Sequence, residues 1–230
     1  MIEKSEYTVI TDWDRQALYE SFMKFDSPCY SMTIPLCVEN IYIYAKMERR
    51  SFFLCMLYVL TKALNSVENF RMRNINGKPV IVHRPNVLTP VAISETDFCE
   101  TLIQSDDNFS VFYKNAERNI EETERAGRPS IVKDMTPYII SCIPWFSYTG
   151  YTPADFSTHQ TNPILAFGKY YDGPVPETGK SGKHINLTLR VNHCFVDAKH
   201  IGRFLDAVND IQKSFTQTEP GIQSVNTGFN

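Results

Sequence analysis

The hydrophobic positions of the chain recur with two periods, one near 3.6 and one of 2, and the switches between them mark out the elements. The densest apolar stretch, residues 52–64, carries no charge until Lys62 and follows Ser51, so it predicts a mostly buried helix packed on a sheet. Upstream, Asp12 or Asp14 can cap a helix running to residue 25. Pro28 stops it and leads into an extended stretch over 30–38, and a short helix follows over 40–47. Residues 97–104 and 107–126 read as two further helices, the second with a charged face of Arg118, Glu121, Glu122, Glu124 and Arg125 and ended by Gly127 and Pro129.

The period of 2 appears elsewhere. Residues 70–75 and 80–83 flank Asn76-Gly77, a pair that supplies the positive φ angles of a type I′ turn, so they predict a hairpin. Pro79 places its second strand at a sheet edge or delays its start. Strands are expected over 87–93, over 138–143 with the strand-like residues 144–148 after it, and over 163–171, with a hairpin loop over 172–183. In residues 184–193 strict alternation puts Ile185, Leu187, Leu189, Val191 and His193 on one sheet face, so His193 is expected to point with the core. Asp197 stands at a helix N-cap ahead of Ile201, Phe204, Leu205, Val208 and Ile211, a helical series reaching residue 215. Helices and strands alternate, so the class is α/β (α+β). One domain is expected over 1–215, with residues 216–230 a polar, flexible tail.

Composition narrows the function. The 230 residues are 43% hydrophobic and 21% charged, which places the chain among globular proteins rather than disordered ones. With 23 Lys+Arg against 26 Asp+Glu the formal charge is −3, which argues against a polybasic surface for nucleic acid or membrane. The longest apolar run is far below the ~20 residues of a membrane span, and the first residues carry no signal core, so a soluble cytoplasmic protein is expected. Cys29, Cys37, Cys55, Cys99, Cys142 and Cys194 include no CxxC pair and read as reduced thiols. No Gly-rich phosphate loop and no GxSxG elbow is present.

The candidate chemistry lies at the end of the 184–193 strand, where a histidine is followed four residues later by an aspartate at a helix start. Three readings fit that spacing. His193 is a hydrogen-bonded core histidine with Asp197 a cap; or His193, Asp197 and His200 are metal ligands, which needs all three on one helix face; or His193 is a general base.

Resemblance over the whole chain favours the third. Val191-Asn192-His193-Cys194-Phe195-Val196-Asp197-Ala198 resembles the HHxxxDG motif of the chloramphenicol acetyltransferase family, also found in the acyltransferase cores of 2-oxo acid dehydrogenase complexes. Ile140-Ser141-Cys142-Ile143-Pro144-Trp145 is similar to that family's Ser-x-x-Pro-Trp strand, and Phe167-Gly168-Lys169-Tyr170 to its Lys-Tyr strand. Trp13-Asp14-Arg15, Ser27-Pro28-Cys29-Tyr30 and the 70–77 hairpin match further blocks in order. The match runs from about residue 7 to 215.

The resemblance implies a two-layer sandwich, a mixed sheet covered by helices, and an acetyl-CoA-dependent O-acetyltransferase acting on a hydroxyl of chloramphenicol or a similar small acceptor. It implies His193 as general base and Ser141 as oxyanion donor, with Asp197 paired to Arg15 to hold the site. Lys169, Tyr170 and Trp145 fall where the family binds CoA; Phe22, Cys29, Tyr30, Phe98 and Ala166 fall on its acceptor pocket. No tightly bound cofactor or metal is implied, only acetyl-CoA as co-substrate. The family forms homotrimers with sites between subunits, so self-association is expected. Three departures stand out: Asn192 replaces the first histidine, Ala198 the glycine after the aspartate, and Ala166 a threonine near the tetrahedral intermediate. A dehydrogenase-complex core is disfavoured, since no lipoyl module or Ala/Pro linker is seen; a non-catalytic homologue of the same fold is the alternative.

Overall fold

A computed structural model describes residues 6–128, 131–132, 134–155, 157 and 159–217. The elements run β1 (Tyr7–Val9), α1 (Gln16–Phe22), β2 (Cys29–Cys37), α2 (Glu39–Met47), α3 (Phe52–Ser66), α4 (Glu68–Arg71), β3 (Met72–Ile75), β4 (Lys78–Val82), β5 (Val87–Ala92) and β6 (Phe98–Ile103). They continue with α5 (Phe109–Ala126), β7 (Tyr138–Ile143), β8 (Ile164–Gly168), β9 (Tyr171–Pro174), β10 (Ser181–Asn192) and α6 (Ala198–Gln217).

The main sheet has the order β2-β10-β8-β7-β5-β6, with β9 paired to the start of β10. It is mixed: β7 runs parallel to both β5 and β8, and the other pairs are antiparallel. One face packs on the helices through Ile140, Leu165, Phe167, Leu187 and Leu189, all buried in the main core. At its centre is α3, from Leu54 to Leu64 nearly all buried and capped by Ser51, whose Oγ accepts from Leu54 N. Asn108 caps α5 in the same way, and Gly127 ends it in the left-handed conformation at φ 57°. Pro129 lies outside the described residues.

The other face is different in kind. Alternation and register put Cys29, Ser31 and Thr33 of β2, Asn186, Thr188, Arg190 and Asn192 of β10, Ala166 of β8 and Ser141 of β7 on it. Among the described residues the helices pack into the core on the opposite face and none covers this one. Instead the segment after β7 straps across it: Asn186 Nδ2 donates to Tyr148 O at 2.5 Å, Arg190 forms a bidentate ion pair with Asp155, and Asn192 Nδ2 donates to Gln160 O at 3.1 Å. The polar even positions of β10 are therefore tethers.

Five expectations are corrected. Residues 97–104 form strand β6, not a helix: Asp97 closes a tight turn, its N–H donating to Ser94 Oγ, and Phe98–Ile103 then pairs along β5. The helix at the N-terminus is only α1, and neither Asp12 nor Asp14 caps it, since Arg15 holds the N-cap without a side-chain capping bond. Residues 144–148 leave the sheet in a turn, and β9 and β10 extend into the expected 172–183 loop. Pro79 sits inside β4, the central strand of a second small sheet β1-β4-β3. It is tolerated because Ile75–Lys78 closes the two-residue turn as a hydrogen-bonded pair, which leaves Asn74–Pro79 a non-bonded one; pairing with β1 ends at Val80. Asn76 (φ 53°) and Gly77 (φ 76°) supply the expected turn. Residues 216–217 continue α6, and the rest of the expected tail lies outside the described residues.

Candidate active site at the end of strand β10

His193 follows the last residue of β10 and lies in a turn, so the alternation of the strand does not carry over to it. Its side chain is 41% exposed rather than turned into the core. The turn is pinned from several sides. His193 N donates to Pro28 O at 2.9 Å, and Phe195 N and Val196 N both donate to Asn192 O. Asn192 Oδ1 accepts from Cys194 N at 2.9 Å, an Asx-type bond that shows what this residue does in place of a histidine. Phe195 is buried against Trp13 and Tyr19, and its carbonyl accepts from Asn69 Nδ2. Ala198 opens α6 without a positive φ, so no glycine is needed there.

Arg15 clamps this turn. Its Nη1 and Nη2 reach Asp197 Oδ2 and Oδ1 at 2.6 and 2.7 Å, Nη2 also donates to His193 O at 2.8 Å, and Nε donates to Cys194 O at 2.8 Å. The planar five-donor fork of arginine suits this pattern, and lysine could not reproduce it. Hydrogen bonding from Arg15 holds the Asp197 carboxyl below its ordinary pKa, against a smaller burial effect. Asp197 stands at the start of α6 as expected, yet its carboxylate faces Arg15 and His193 rather than the helix. His193 Nδ1 lies 2.8 Å from Asp197 Oδ1 but off the line of a ring N–H, so the contact is a close approach, not an aligned hydrogen bond.

Aromatic rings frame the imidazole. Phe22 stacks on it at 4.4 Å and 16°, Phe25 packs edge-on to Phe22, and Tyr30 lies at 5.0 Å with its hydroxyl donating to Val196 O. Cys29 Sγ donates to Gln160 O, and burial pushes its thiol up to about 11.

The remaining predicted residues lie elsewhere in the chain. Ser141 and Ala166 share one row across the sheet with Thr188 and Thr33, whose hydroxyls are 2.7 Å apart. From that row, two strands over and five residues back, Ser141 is roughly 20 Å from His193. Trp145, Lys169 and Tyr170 gather where the parallel β7 and β8 both end, at the opposite end of β10 from His193. Trp145 is 73% exposed and Lys169 is exposed, while Tyr170 packs on Tyr42 and Phe52. Phe98 stands on β6 at the far edge of the sheet from β2, 47% exposed, and does not join the acceptor-pocket set. The reason is topological: four strands separate it from Cys29 and Tyr30. His200 does not complete a metal site with His193 and Asp197. Its Nδ1 accepts from Asp197 N at 2.9 Å, and among the described residues no group of three His, Cys, Asp or Glu side chains is placed to hold a metal ion.

Sequence reasoning missed the His200 bond, the Asn192 bonds and the Arg190–Asp155 pair. Only the first had a visible signal, the three-residue spacing of a capping box.

The architecture is one shared with solved structures. A solved structure of the cubic core of the pyruvate dehydrogenase multienzyme complex aligns with a TM-score of 0.67 over 86% of this chain and 87% of its own, at 13% identity. A solved chloramphenicol acetyltransferase aligns at a TM-score of 0.81 and 25% identity, over 90% of this chain and all of its own. The chain is 28% identical over 210 residues to the chloramphenicol acetyltransferase of Campylobacter coli, covering 88% of this chain and 95% of that one. It is 24% identical over 211 residues to that of Staphylococcus aureus, covering 89% and 94%. The family model for chloramphenicol acetyltransferase matches residues 5–212, and the chain belongs to that family. Members are acyltransferases that take acetyl-CoA as co-substrate, so the chain is an enzyme of that class. No helix among the described residues is long and apolar enough to cross a membrane.

Proposed function

We propose that the chain transfers acetyl from acetyl-CoA to a hydroxyl of chloramphenicol or a similar small acceptor, as a cytoplasmic homotrimer with active sites between subunits. The observation that carries this reading is the Arg15 clamp, four hydrogen bonds spent on holding one turn that presents a half-exposed histidine to an aromatic surface. With Nδ1 turned toward Asp197, Nε2 of His193 takes the proton of the acceptor hydroxyl as its oxygen attacks the thioester carbonyl. Ser141 Oγ donates to the oxyanion that forms, and the intermediate collapses to ester and CoA thiolate, which recovers the proton from His193. Phe22, Tyr30 and Cys29 offer the acceptor an apolar surface, and Lys169, Tyr170 and Trp145 receive CoA.

The separation of His193 from Ser141 supports a site made by two subunits. One chain supplies the base and its clamp; the polar, strapped face of another supplies Ser141 and the CoA residues. The cubic-core relative, itself an assembly, accords with self-association.

The test is thiol release from acetyl-CoA with chloramphenicol as acceptor. The wild type should turn over, and His193→Ala should lose ~10²–10⁴ of the rate. A variant that keeps full transfer refutes His193 as base. The alternative, a non-catalytic homologue, draws on Ala166, which leaves the row beside Ser141 one hydroxyl short. Saturable CoA binding without thiol release across a broad acceptor screen would favour it.

A further inference from the structure

The proposed roles leave His200 unused, although it is tied to the centre of the site. Asp197 occupies the N-cap of α6, and its carbonyl accepts from His200 N at 2.9 Å and Ile201 N at 3.2 Å. In a capping box the cap side chain bonds forward to the third helical residue, while that residue's side chain bonds back to the cap N–H. Here the forward half is missing, because the Asp197 carboxylate is engaged by Arg15 and His193. The backward half is made by an imidazole: Asp197 N donates to His200 Nδ1 at 2.9 Å.

We propose that His200 is a positioning residue for His193: by holding the Asp197 backbone from the helix side, it leaves the carboxylate aimed at Arg15 and the catalytic turn. This rests on the acetyl-transfer reading of the site. The bond needs His200 with Nδ1 bare and the proton on Nε2. A second proton would convert Nδ1 from acceptor to donor, facing the Asp197 N–H. Burial lowers the His200 pKa; among the charges around it, Asp197 opposes that shift and Arg15, Arg203 and Lys199 reinforce it. The bond is therefore complete above the ordinary histidine range and is lost as pH falls through the depressed value.

Two variants and two readouts test this. His200→Gln keeps an acceptor that does not titrate, of a type natural to capping boxes; His200→Ala removes it. With acetyl-CoA and chloramphenicol, His200→Ala should lower kcat about 10-fold with little change in either KM, and His200→Gln should recover most of that loss. Below the ordinary histidine range the wild-type acid limb should be steeper than that of His200→Gln, which has one titrating group fewer. An alanine variant with wild-type kcat and pH profile at equal folded fraction, or a glutamine variant as impaired as alanine, overturns the proposal. The second readout is imidazole ¹⁵N NMR of the free protein: His200 should be the Nε2–H tautomer at pH 7.5, and His200→Ala should move the His193 resonances. An Nδ1–H tautomer, or unmoved His193 signals, overturns it equally. If the wild type turns over no acceptor, the acetyl-transfer reading is what has failed, and the NMR result still decides whether His200 positions His193.

Discussion

Arg15 shows how much one side chain can decide. It is 13% exposed and all of its described bonds go to residues 193–197. Removing it strands the Asp197 carboxylate and frees two carbonyls. Arg15→Ala should destabilise the fold by about 2 kcal/mol, between the values for exposed and buried pairs, in urea denaturation followed by circular dichroism. Because the folded-state pKa of Asp197 is depressed, the contribution of the pair is present above the ordinary carboxylate range and is lost as pH falls below it. The wild-type advantage over Arg15→Ala should therefore shrink between pH 5 and pH 3. His193 and Asp197 were legible in sequence because they lie four residues apart in one motif, whereas Arg15, far upstream in the chain, was reached only through the family resemblance. The outward turn of the His193 side chain was not legible, because the strand stops one residue before it and the period of 2 that predicted an inward side chain stops with it.

At the scale of elements, patterning identified α3, α5, α6 and β10, where many residues of one period agree. It failed at β6, where Asp97 has the chemistry of a helix cap and only six residues were left to show a strand; of these only Thr101 and Ile103 are buried. Nor could it place Pro79, whose tolerance depends on which pair closes the adjoining turn and so on the hydrogen-bonding phase of the hairpin. The buried Arg73 links elements in a way no local pattern announces. It is 0% exposed and donates to Phe70 O, Met72 O, Met135 O and Thr136 O, at distances from 2.6 to 3.1 Å, so it ties β3 to the entry of β7. Its guanidinium also lies over the Tyr138 ring at 5.3 Å. Burial brings its pKa down to about 10, still charged at neutral pH. Arg73→Ala should cost about 3 kcal/mol or more, since several buried carbonyls lose their donor together. Arg73→Lys should recover little of it, having fewer donors in a different geometry. Thermal melts of the two variants side by side check this.

For the whole molecule, the asymmetry of the main sheet matters most. Helices seal one face; the other is left to hydroxyls, tethered amides and a strap, with a small apolar cluster of Leu88, Ile139 and Ile164 beside them. The sequence carried this asymmetry in the polar even positions of β10, but without a partner strand to compare, those positions read only as the outer side of an ordinary strand. Sedimentation velocity at micromolar concentration should give three times the chain mass, and a monomer that retains full turnover would refute the shared site.

On the proposed roles, the distance between His193 and Ser141 makes the site divisible. His193→Ala and Ser141→Ala enzymes should each be nearly inactive alone. Unfolded together in equal amounts and refolded, they would assemble at random, and about a quarter of the subunit junctions would join an intact histidine to an intact serine. Activity would return in a mixture of two dead proteins, to about a quarter of the wild-type level, and a pair of variants from the same half, His193→Ala with Arg15→Ala, would regain far less.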